Sequence, residues 1–230
     1  MKSILIIGGS SDIGISLGQK LKNNGNNVIL SYYKNPITIT GINSYKCDVT
    51  SEKSIEEIIK YGIDLYKKID VIINLQSISC DNSFLNKTKK EFMDVLEVNL
   101  VGTFLLNQIY SRYIDDGMII NMSSTDGIDT YSEYSLDYSI SKNGIIFMSK
   151  ALESYTTNKI YCLCPNWIDT SSTRQMNQEY LSNELKRINQ SRLLQISEVV
   201  DVIIDIINNN IKEKLIRIDV RNDKLWIEKM

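Results

Sequence analysis

Histidine is absent from the sequence. Its absence excludes a Ser-His-Asp triad, a Cys-His pair and a histidine metal site, so acid/base chemistry must fall to tyrosine, lysine, aspartate or glutamate. Cysteine is scarce, and Cys47, Cys80, Cys162 and Cys164 lack the spacing of a disulfide framework or a zinc site. We therefore expect no metal site, reduced thiols and a cytoplasmic location.

Long apolar runs and an excess of one charge are also missing. No stretch of 18 apolar residues occurs, so we expect no transmembrane helix, and glycine ends the apolar run 4–7 too early for a signal peptide. The net charge of −2 gives no reason to expect nucleic acid as a partner. A chain of 230 residues with only two prolines is expected to form one domain over residues 1–230.

Strand and helix patterns alternate along the whole chain. Strands are predicted over 3–7, 26–31, 44–49, 69–74, 117–122, 159–163 and 215–219. Helices are predicted after the first glycine turn, after Ser51 as N-cap, over 89–113, from about Tyr138 to Tyr155, and after Ser197 as N-cap. This alternation predicts an α/β fold, a Rossmann-like doubly wound, mostly parallel seven-stranded sheet with helices on both faces. The Asn- and Ser-rich stretch of about 166–196 is interpreted as a lid over the substrate.

Tyr138 and Lys142 are the first candidates for acid/base chemistry. Residues four apart share one face of a helix, so the phenol and the ammonium are expected to lie together. A cation beside a phenol favours the phenolate and lowers its pKa from about 10. Tyr155 and Lys159 repeat the spacing, but residues 156–158 end that helix. Tyr138 instead begins a helix at the carboxyl edge of the predicted sheet, where such folds bind ligands.

The first predicted strand is followed by the turn Gly8-Gly9-Ser10-Ser11-Asp12-Ile13-Gly14 and then by a helix. Glycines let the backbone approach phosphates, and a helix N-terminus offers free N–H groups and the positive end of its dipole. This order predicts a dinucleotide site, and a tight turn without a ligand is the alternative.

Together these motifs resemble the short-chain dehydrogenase/reductase family over nearly the whole chain. The resemblance implies a catalytic set of Asn99, Ser124, Tyr138 and Lys142. Tyr138 would give a proton to a carbonyl oxygen as hydride reaches the carbon, and Ser124 would donate to the same oxygen. Lys142 would lower the pKa of Tyr138 and bind the nicotinamide ribose, and Asn99 would hold a water that links Lys142 to solvent.

The resemblance also implies a set of cofactor contacts. Asp48 matches the acid that contacts adenine, Asn74 matches the first Asn of the family's Asn-Asn-Ala-Gly signature, and 165–170 resembles the turn beside nicotinamide. Asp12 stands where the middle glycine of the family's turn is usual. The predicted cofactor residues are Gly8, Ser10, Ser11, Ile13, Gly14, Tyr32, Lys34, Asp48, Val49, Asn74, Tyr138, Lys142, Ile168 and Thr170.

The end of the second strand bears on the choice of cofactor. A carboxylate there would accept a hydrogen bond from the ribose 2′-OH and repel a 2′-phosphate. The segment Ser31-Tyr32-Tyr33-Lys34 has no acid, several hydroxyls and one cation. NADP(H) is therefore favoured over NAD(H).

The predicted function is NADP(H)-dependent reduction of a carbonyl. The stretch 188–199 resembles 3-oxoacyl-carrier-protein reductases, which implies a 3-oxoacyl thioester, on an acyl carrier protein or free, beside a small-molecule ketone. An acyl channel is expected from Met176, Leu181, Leu185 and Leu193, and attraction of an acidic carrier from Arg174, Lys186, Arg187 and Arg192. A non-catalytic cofactor sensor or scaffold is the alternative, and a sugar-nucleotide epimerase is a third reading that Ser11 disfavours.

Two helices carry more apolar residues than one sheet face needs. They span about 88–113 and 135–156 and include Phe92, Phe104, Leu105, Ile109, Ile145, Phe147 and Met148. A two-fold interface needs only one self-complementary patch. We therefore expect a homotetramer, with a dimer as the alternative.

Overall fold

A computed structural model describes residues 1–229 and shows an α/β fold. Eight strands form one sheet in the order β3-β2-β1-β4-β5-β6-β7-β8. The strands are β1 (Ser3–Ile7), β2 (Asn27–Tyr32), β3 (Asn43–Lys46), β4 (Val71–Asn74), β5 (Met118–Met122), β6 (Lys159–Pro165), β7 (Leu215–Arg221) and β8 (Lys224–Lys229). All neighbouring strands pair in parallel except β7 and β8. The doubly wound, mostly parallel sheet is confirmed.

Helices cover both faces of the sheet. They are α1 (Asp12–Asn23), α2 (Glu52–Tyr66), α3 (Lys89–Leu96), α4 (Gly102–Tyr113), α5 (Leu136–Leu152), α6 (Ser171–Arg174), α7 (Gln178–Arg187) and α8 (Ile196–Ile207). The apolar sides of α1 and α8 pack on one face, and those of α2, α4 and α5 pack on the other. None of the helices within residues 1–229 is long and apolar enough to cross a membrane.

The predicted count of seven strands is wrong by one. The additional strand, β8, returns antiparallel along β7 through Asn222 and Asp223, whose φ angles are +51° and +60°. Two left-handed residues in succession form the hairpin turn whose twist matches the strands it joins, and Asn and Asp tolerate that conformation.

Two helix boundaries also differ from the sequence prediction. The predicted helix over 89–113 contains a π-helical turn at Glu97–Val101, which separates α3 from α4. The last helix begins after Gln195 rather than after Ser197, and the Gln195 N–H donates to the Glu198 carboxylate at 2.8 Å. By contrast, Ser51 caps α2 as expected and accepts a hydrogen bond from the Ser54 N–H.

The strand order determines where a ligand can bind. From β1 the chain moves outward through β2 and β3, then crosses back to place β4 on the other side of β1. The loops after β1 and β4 therefore diverge and leave a crevice at the carboxyl edge, the ligand position in doubly wound sheets. The glycine turn follows β1 at this crevice, and Leu75 to Ser77 follow β4.

Candidate active site

A cavity of about 760 Å³, the site cavity, opens at the carboxyl edge of the sheet. The predicted site residues on its wall are Ser10, Ser11, Ile13, Ser124, Tyr138, Lys142, Ile168 and Thr170. The structure thus brings part of the glycine turn, the end of β5, the first turns of α5 and the segment after β6 around one space.

Tyr138 and Lys142 lie on α5, and β5 holds this helix in place. The Lys142 ammonium donates to the Met122 carbonyl at 3.0 Å, and the Ser123 hydroxyl donates to the Lys142 carbonyl at 2.7 Å. The same ammonium lies 5.3 Å from the centroid of the Tyr138 ring. The expected pairing of the two side chains on one face of a helix is therefore present. The alternative pair is not, because Tyr155 lies beyond the end of α5 and is 82% exposed.

Burial changes the pKa of both groups. It lowers the pKa of Lys142 to about 8 and raises the pKa of Tyr138 well above its ordinary value, since each charged form would lose its hydration. The carboxylate of Asp126 raises the pKa of Tyr138 further, and hydrogen bonding to Ser124 and Ser77 lowers it. The net shift is opposite to the lowering expected from Lys142. The phenol is protonated at neutral pH, which is the form that a proton donor needs.

Ser124 lies two residues beyond the end of β5 and faces the cavity beside Tyr138. Its hydroxyl accepts a hydrogen bond from the Asp126 N–H at 3.1 Å and caps the short 3-10 turn Thr125–Gly127. The turn presents a second side chain, the carboxylate of Asp126, to the same cavity. Burial raises the pKa of Asp126 to about 6. Sequence reasoning missed Asp126, because a single acid two residues after a serine has no diagnostic spacing.

Asn99 lies in the π-helical turn and is completely buried. Its amide donates to the Ile78 carbonyl at 2.9 Å and to the Ser141 hydroxyl at 3.1 Å, and its side-chain oxygen accepts from the Ile78 N–H at 2.8 Å. The side chain therefore ties the loop after β4 to α5. A water at this position would donate to the side-chain or the backbone oxygen of Asn99, each of which already accepts one hydrogen bond and has a second lone pair.

Sequence reasoning also missed an ion pair beside Tyr138. The Lys87 ammonium and the Asp137 carboxylate lie 3.0 Å apart and are almost completely buried. The Asp137 carboxylate also accepts from the Tyr138 N–H at 2.9 Å. The pair joins the loop that precedes α3 to the first turn of α5, so it helps to fix the position of Tyr138.

The glycine turn has the shape that a dinucleotide needs. Gly8 has a φ of +74°, and a Cβ atom there would come within 2.8 Å of the Gln76 backbone nitrogen. A Cβ atom on Gly14 would come within 2.7 Å of the Gly9 Cα. Ser11 caps α1 by accepting from the Gly14 N–H at 3.1 Å. The helix thus begins at the cavity wall with the N–H groups and dipole that bind phosphate, so these residues fit a dinucleotide.

Other predicted cofactor residues do not line the site cavity. Asn74 is buried behind it and donates to the Asn121 side chain at 2.7 Å. Tyr32 ends β2, Lys34 is exposed beyond it, and Asp48 and Val49 follow β3. Because β2 and β3 lie in order beside β1, these residues continue outward along the sheet edge from the glycine turn. A ligand that reached them from the cavity would have to be extended.

The segment after β6 closes the cavity on one side. Residues 165–168, 170–173, Met176 and Tyr180 line it. The Asp12 carboxylate accepts a hydrogen bond from the Ser171 N–H at 2.5 Å, which joins the glycine turn to α6. The first half of the expected lid, up to Tyr180, therefore faces the cavity, and the stretch 181–196 does not.

The expected acyl channel is not formed as a unit. Met176 lines the site cavity, whereas Leu181, Leu185 and Leu193 line a separate surface groove along α7. Most of the cations expected to attract a carrier protein are paired within the chain. The three ion pairs are Arg174 with Asp169, Arg187 with Glu184, and Arg192 with Glu198, each at 2.7 Å.

Comparisons with known proteins agree with this geometry. The sequence model of the short chain dehydrogenase family matches residues 2–181. The chain is 31% identical to an acetoacetyl-CoA reductase of Shinella zoogloeoides over 214 residues, covering 87% of this chain and 88% of the relative. It is 25% identical over 211 residues to the 3-oxoacyl-[acyl-carrier-protein] reductase MabA of Mycobacterium tuberculosis, covering 88% and 83%.

Solved structures show the same fold. A ligand-free aldohexose dehydrogenase of Thermoplasma acidophilum superposes with a TM-score of 0.79 at 20% identity, covering 89% of this chain and 86% of that one. The strand order, the glycine turn and the family match agree with one another. The chain belongs to the short-chain dehydrogenase/reductase family of oxidoreductases.

Proposed function

We propose that this protein reduces a carbonyl compound to an alcohol with NADP(H) and with Tyr138 as the proton donor. The observation that carries the proposal is that Ser124, Tyr138 and Lys142 meet the glycine turn at one cavity. The family uses a nicotinamide cofactor, and that cofactor supplies the hydride when bound. What this chain supplies is the proton, the charge stabilisation and the shape of the site.

Each polar side chain has a separate role in the proposed reaction. The protonated Tyr138 phenol gives its proton to the carbonyl oxygen, and the Ser124 hydroxyl donates to the same oxygen as negative charge develops there. The Lys142 ammonium holds α5 against β5 and places a positive charge next to the phenol. Asn99 fixes the loop after β4 through Ile78. The structure gives more direct support to this bracing role than to the holding of a water.

A panel of ketones and aldehydes with NADPH and NADH tests the reaction. We expect oxidation of NADPH that depends on the carbonyl compound and gives one alcohol per NADPH. Tight binding of NADPH without turnover of any carbonyl would instead support the non-catalytic sensor or scaffold.

NADPH is expected to be preferred over NADH. The support is the acid-free end of β2, where Tyr32 is half-buried and Lys34 is exposed and free of ion pairs within residues 1–229. We predict that Tyr32→Asp lowers the ratio of kcat/KM for NADPH to that for NADH by at least about tenfold, because the new carboxylate repels a 2′-phosphate. Tyr33→Asp is the matched control, since Tyr33 is the neighbouring exposed residue. A wild-type preference for NADH would contradict the prediction.

A 3-oxoacyl thioester is the substrate that the names of the relatives suggest, free or on an acyl carrier protein. The groove and the ion pairs described above give this candidate little local support. The test compares acetoacetyl carrier protein with an acetoacetyl thioester of a small thiol at low and high salt. Faster turnover of the carrier-bound form, lost at high salt, would support docking of an acidic carrier. Equal rates at both salt concentrations would remove the carrier protein as a partner.

We also propose a homo-oligomer that assembles through α4 and α5. Exposed apolar side chains remain on and beside these helices, among them Val101, Phe104, Leu136, Ile140 and Phe147. Phe147 is 74% exposed, and a second copy of the chain packed on these helices would bury it. A tetramer is the expected state and a dimer is the alternative.

A charge in this patch should separate the subunits. We predict that Phe147→Glu lowers the mass measured by light scattering at micromolar concentration, because two like charges would face each other across a two-fold axis. Phe84→Glu is the control, since Phe84 is 69% exposed but lies in the loop before α3. A wild-type monomer at this concentration would contradict both oligomeric states.

The four cysteines support the expected compartment. All four are free thiols, and Cys47, Cys162 and Cys164 are buried. A reducing environment keeps such thiols unpaired. A cytoplasmic location is therefore part of the proposal, and the oxidation state of the cysteines in protein isolated from its native cells tests it.

A further inference from the structure

The roles proposed above do not use Asp126, although its carboxylate lines the site cavity. The Thr130 hydroxyl donates to Asp126 Oδ1 at 2.9 Å. Oδ2 accepts no hydrogen bond from a described side chain. The charge of Asp126 is close enough to Tyr138 and Lys142 to raise the pKa of both. A half-buried carboxylate oxygen therefore lies free beside the reacting centre.

Ser135 is a second unused polar group on the same wall. It lies just before α5 and is only 8% exposed, and what remains accessible opens to the cavity. Its hydroxyl does not cap the helix and makes no side-chain hydrogen bond to residues 1–229. The hydroxyl is therefore available to a polar group of a ligand that occupies the cavity.

The surroundings of Asp126 and Ser135 are polar as well. The hydroxyls of Ser132 and Tyr180 are hydrogen-bonded to each other at 3.2 Å, and both residues line the cavity. The pKa of Tyr180 is raised, chiefly by burial and in smaller part by the charges of Glu184, Asp81 and Asp126. Ser77 lines the cavity from the loop after β4. Hydroxyl and carboxyl groups thus converge on the space next to Tyr138.

We propose that the substrate is a hydroxylated ketone or aldehyde, with one hydroxyl donating to Asp126 Oδ2 and a second bonding Ser135. The inference rests on the proposed carbonyl reduction and narrows its substrate. A carboxylate oxygen needs a donor, and a plain acyl chain offers none, so placing methylene groups there would strip water from a charge without replacement. An ammonium group is disfavoured because Lys142 and Arg187 already act on Asp126.

Two ketones with the same carbon skeleton test the inference. They are butan-2-one and its trihydroxy derivative, 1,3,4-trihydroxybutan-2-one, each assayed with NADPH. We expect wild type to prefer the triol by at least about 100-fold in kcat/KM, since a site built for hydroxyls discriminates strongly against an analogue without them. Asp126→Ala should reduce that preference by at least about tenfold, the size of one charged hydrogen bond. The ratio of the two ketones is the measured quantity, because the effect of Asp126 on Tyr138 and Lys142 acts on both substrates and cancels in it.

Two further variants make the test specific. Ser135→Ala should reduce the same preference by a smaller factor, which covers the case in which Asp126→Ala does not fold. Asp64→Ala is the matched control, because Asp64 is exposed on α2 and far from the cavity. Its preference should equal that of wild type. Thermal melting of each variant confirms that it is folded.

The remaining outcomes separate this inference from the proposed function. Reduction of butan-2-one or of an acetoacetyl thioester in preference to the triol overturns the hydroxylated substrate and leaves carbonyl reduction standing. A preference for the triol that neither variant changes overturns the assignment to Asp126 and Ser135. Preference for 1-aminopropan-2-one over 1-hydroxypropan-2-one, lost in Asp126→Ala, would assign Asp126 to an ammonium instead. Failure to reduce any carbonyl overturns the proposed function and this inference together.

Discussion

Tyr138→Phe is expected to lower kcat for carbonyl reduction by at least about 10²–10³ and to leave cofactor binding unchanged. Phenylalanine keeps the ring and its contact with Lys142 and removes only the hydroxyl. Because burial keeps the phenol protonated at neutral pH, the hydroxyl is the available proton donor in the site cavity. The measurement is steady-state turnover of the best carbonyl substrate, together with NADPH affinity by fluorescence.

Tyr155→Phe is the control for this change. Tyr155 repeats the spacing to a lysine in the sequence, but it lies beyond α5 and is 82% exposed. Its kcat should stay within about twofold of wild type, as for surface substitutions in general. If Tyr138→Phe kept more than about a tenth of the rate, another group would have to donate the proton, and Ser124 would be the first candidate.

Much of the fold could be predicted from the sequence because the strand and helix signals are local. Apolar runs bounded by glycine and polar residues located β1, β2, β4, β5, β6 and β7 to within about two residues. The final hairpin was missed because its signal is a pair of residues, Asn222 and Asp223, that must both take a left-handed conformation. Nothing in the alternation of apolar residues distinguishes that turn from the end of the chain.

The site was predicted only where spacing carries information. Tyr138 and Lys142 are four residues apart on a helix, and the glycine turn is constrained by close backbone contacts. The leucines of α7 show the opposite case. An apolar stripe at helical spacing does not show which neighbour it faces. In the structure Leu181 and Leu185 of α7 line a groove that is separate from the site cavity. Asp126 was missed because its position on the cavity wall and its burial depend on the folded chain, and no spacing in the sequence marks them.

Lys142→Met is expected to lower kcat for reduction by at least about 10² and to remove part of the pH dependence of the wild type. The pKa of Lys142 is lowered to about 8, so wild-type activity should decline above pH 8 as the ammonium loses its proton. Methionine fills a similar volume and cannot titrate, so the residual activity of the variant should not decline there. The measurement is kcat from pH 6 to 10 at saturating cofactor. Lys159→Met is the control, because Lys159 is an exposed lysine at the start of β6.

The same substitution is expected to stabilise the fold at neutral pH. A lysine titrates near 10.5 in the unfolded chain and at about 8 when buried at position 142. Between these values the unfolded state binds more protons, so the stability contribution of Lys142 rises with pH across this window and is least favourable below pH 8. The cost of the buried charge is about 3 kcal/mol at pH 7. Lys142→Met removes it and also loses the hydrogen bond to the Met122 carbonyl.

The pH dependence separates these two effects. Loss of the hydrogen bond lowers the free energy of unfolding by a similar amount at every pH. The destabilisation caused by the buried charge of Lys142, by contrast, disappears as Lys142 becomes neutral. The free energy of unfolding of Lys142→Met minus that of wild type should therefore fall by about 2 kcal/mol between pH 7 and pH 10. Tyr110, whose pKa is raised by burial, affects both proteins equally and cancels in the difference. Urea denaturation at pH 7, 8, 9 and 10 measures it. A difference that stays constant with pH would mean that the pKa of Lys142 is the same in the folded and the unfolded protein, which contradicts the lowered value. A fall of about 4 kcal/mol would mean that Lys142 is already neutral in the folded protein at pH 7, and the proposed role of its ammonium would have to be abandoned.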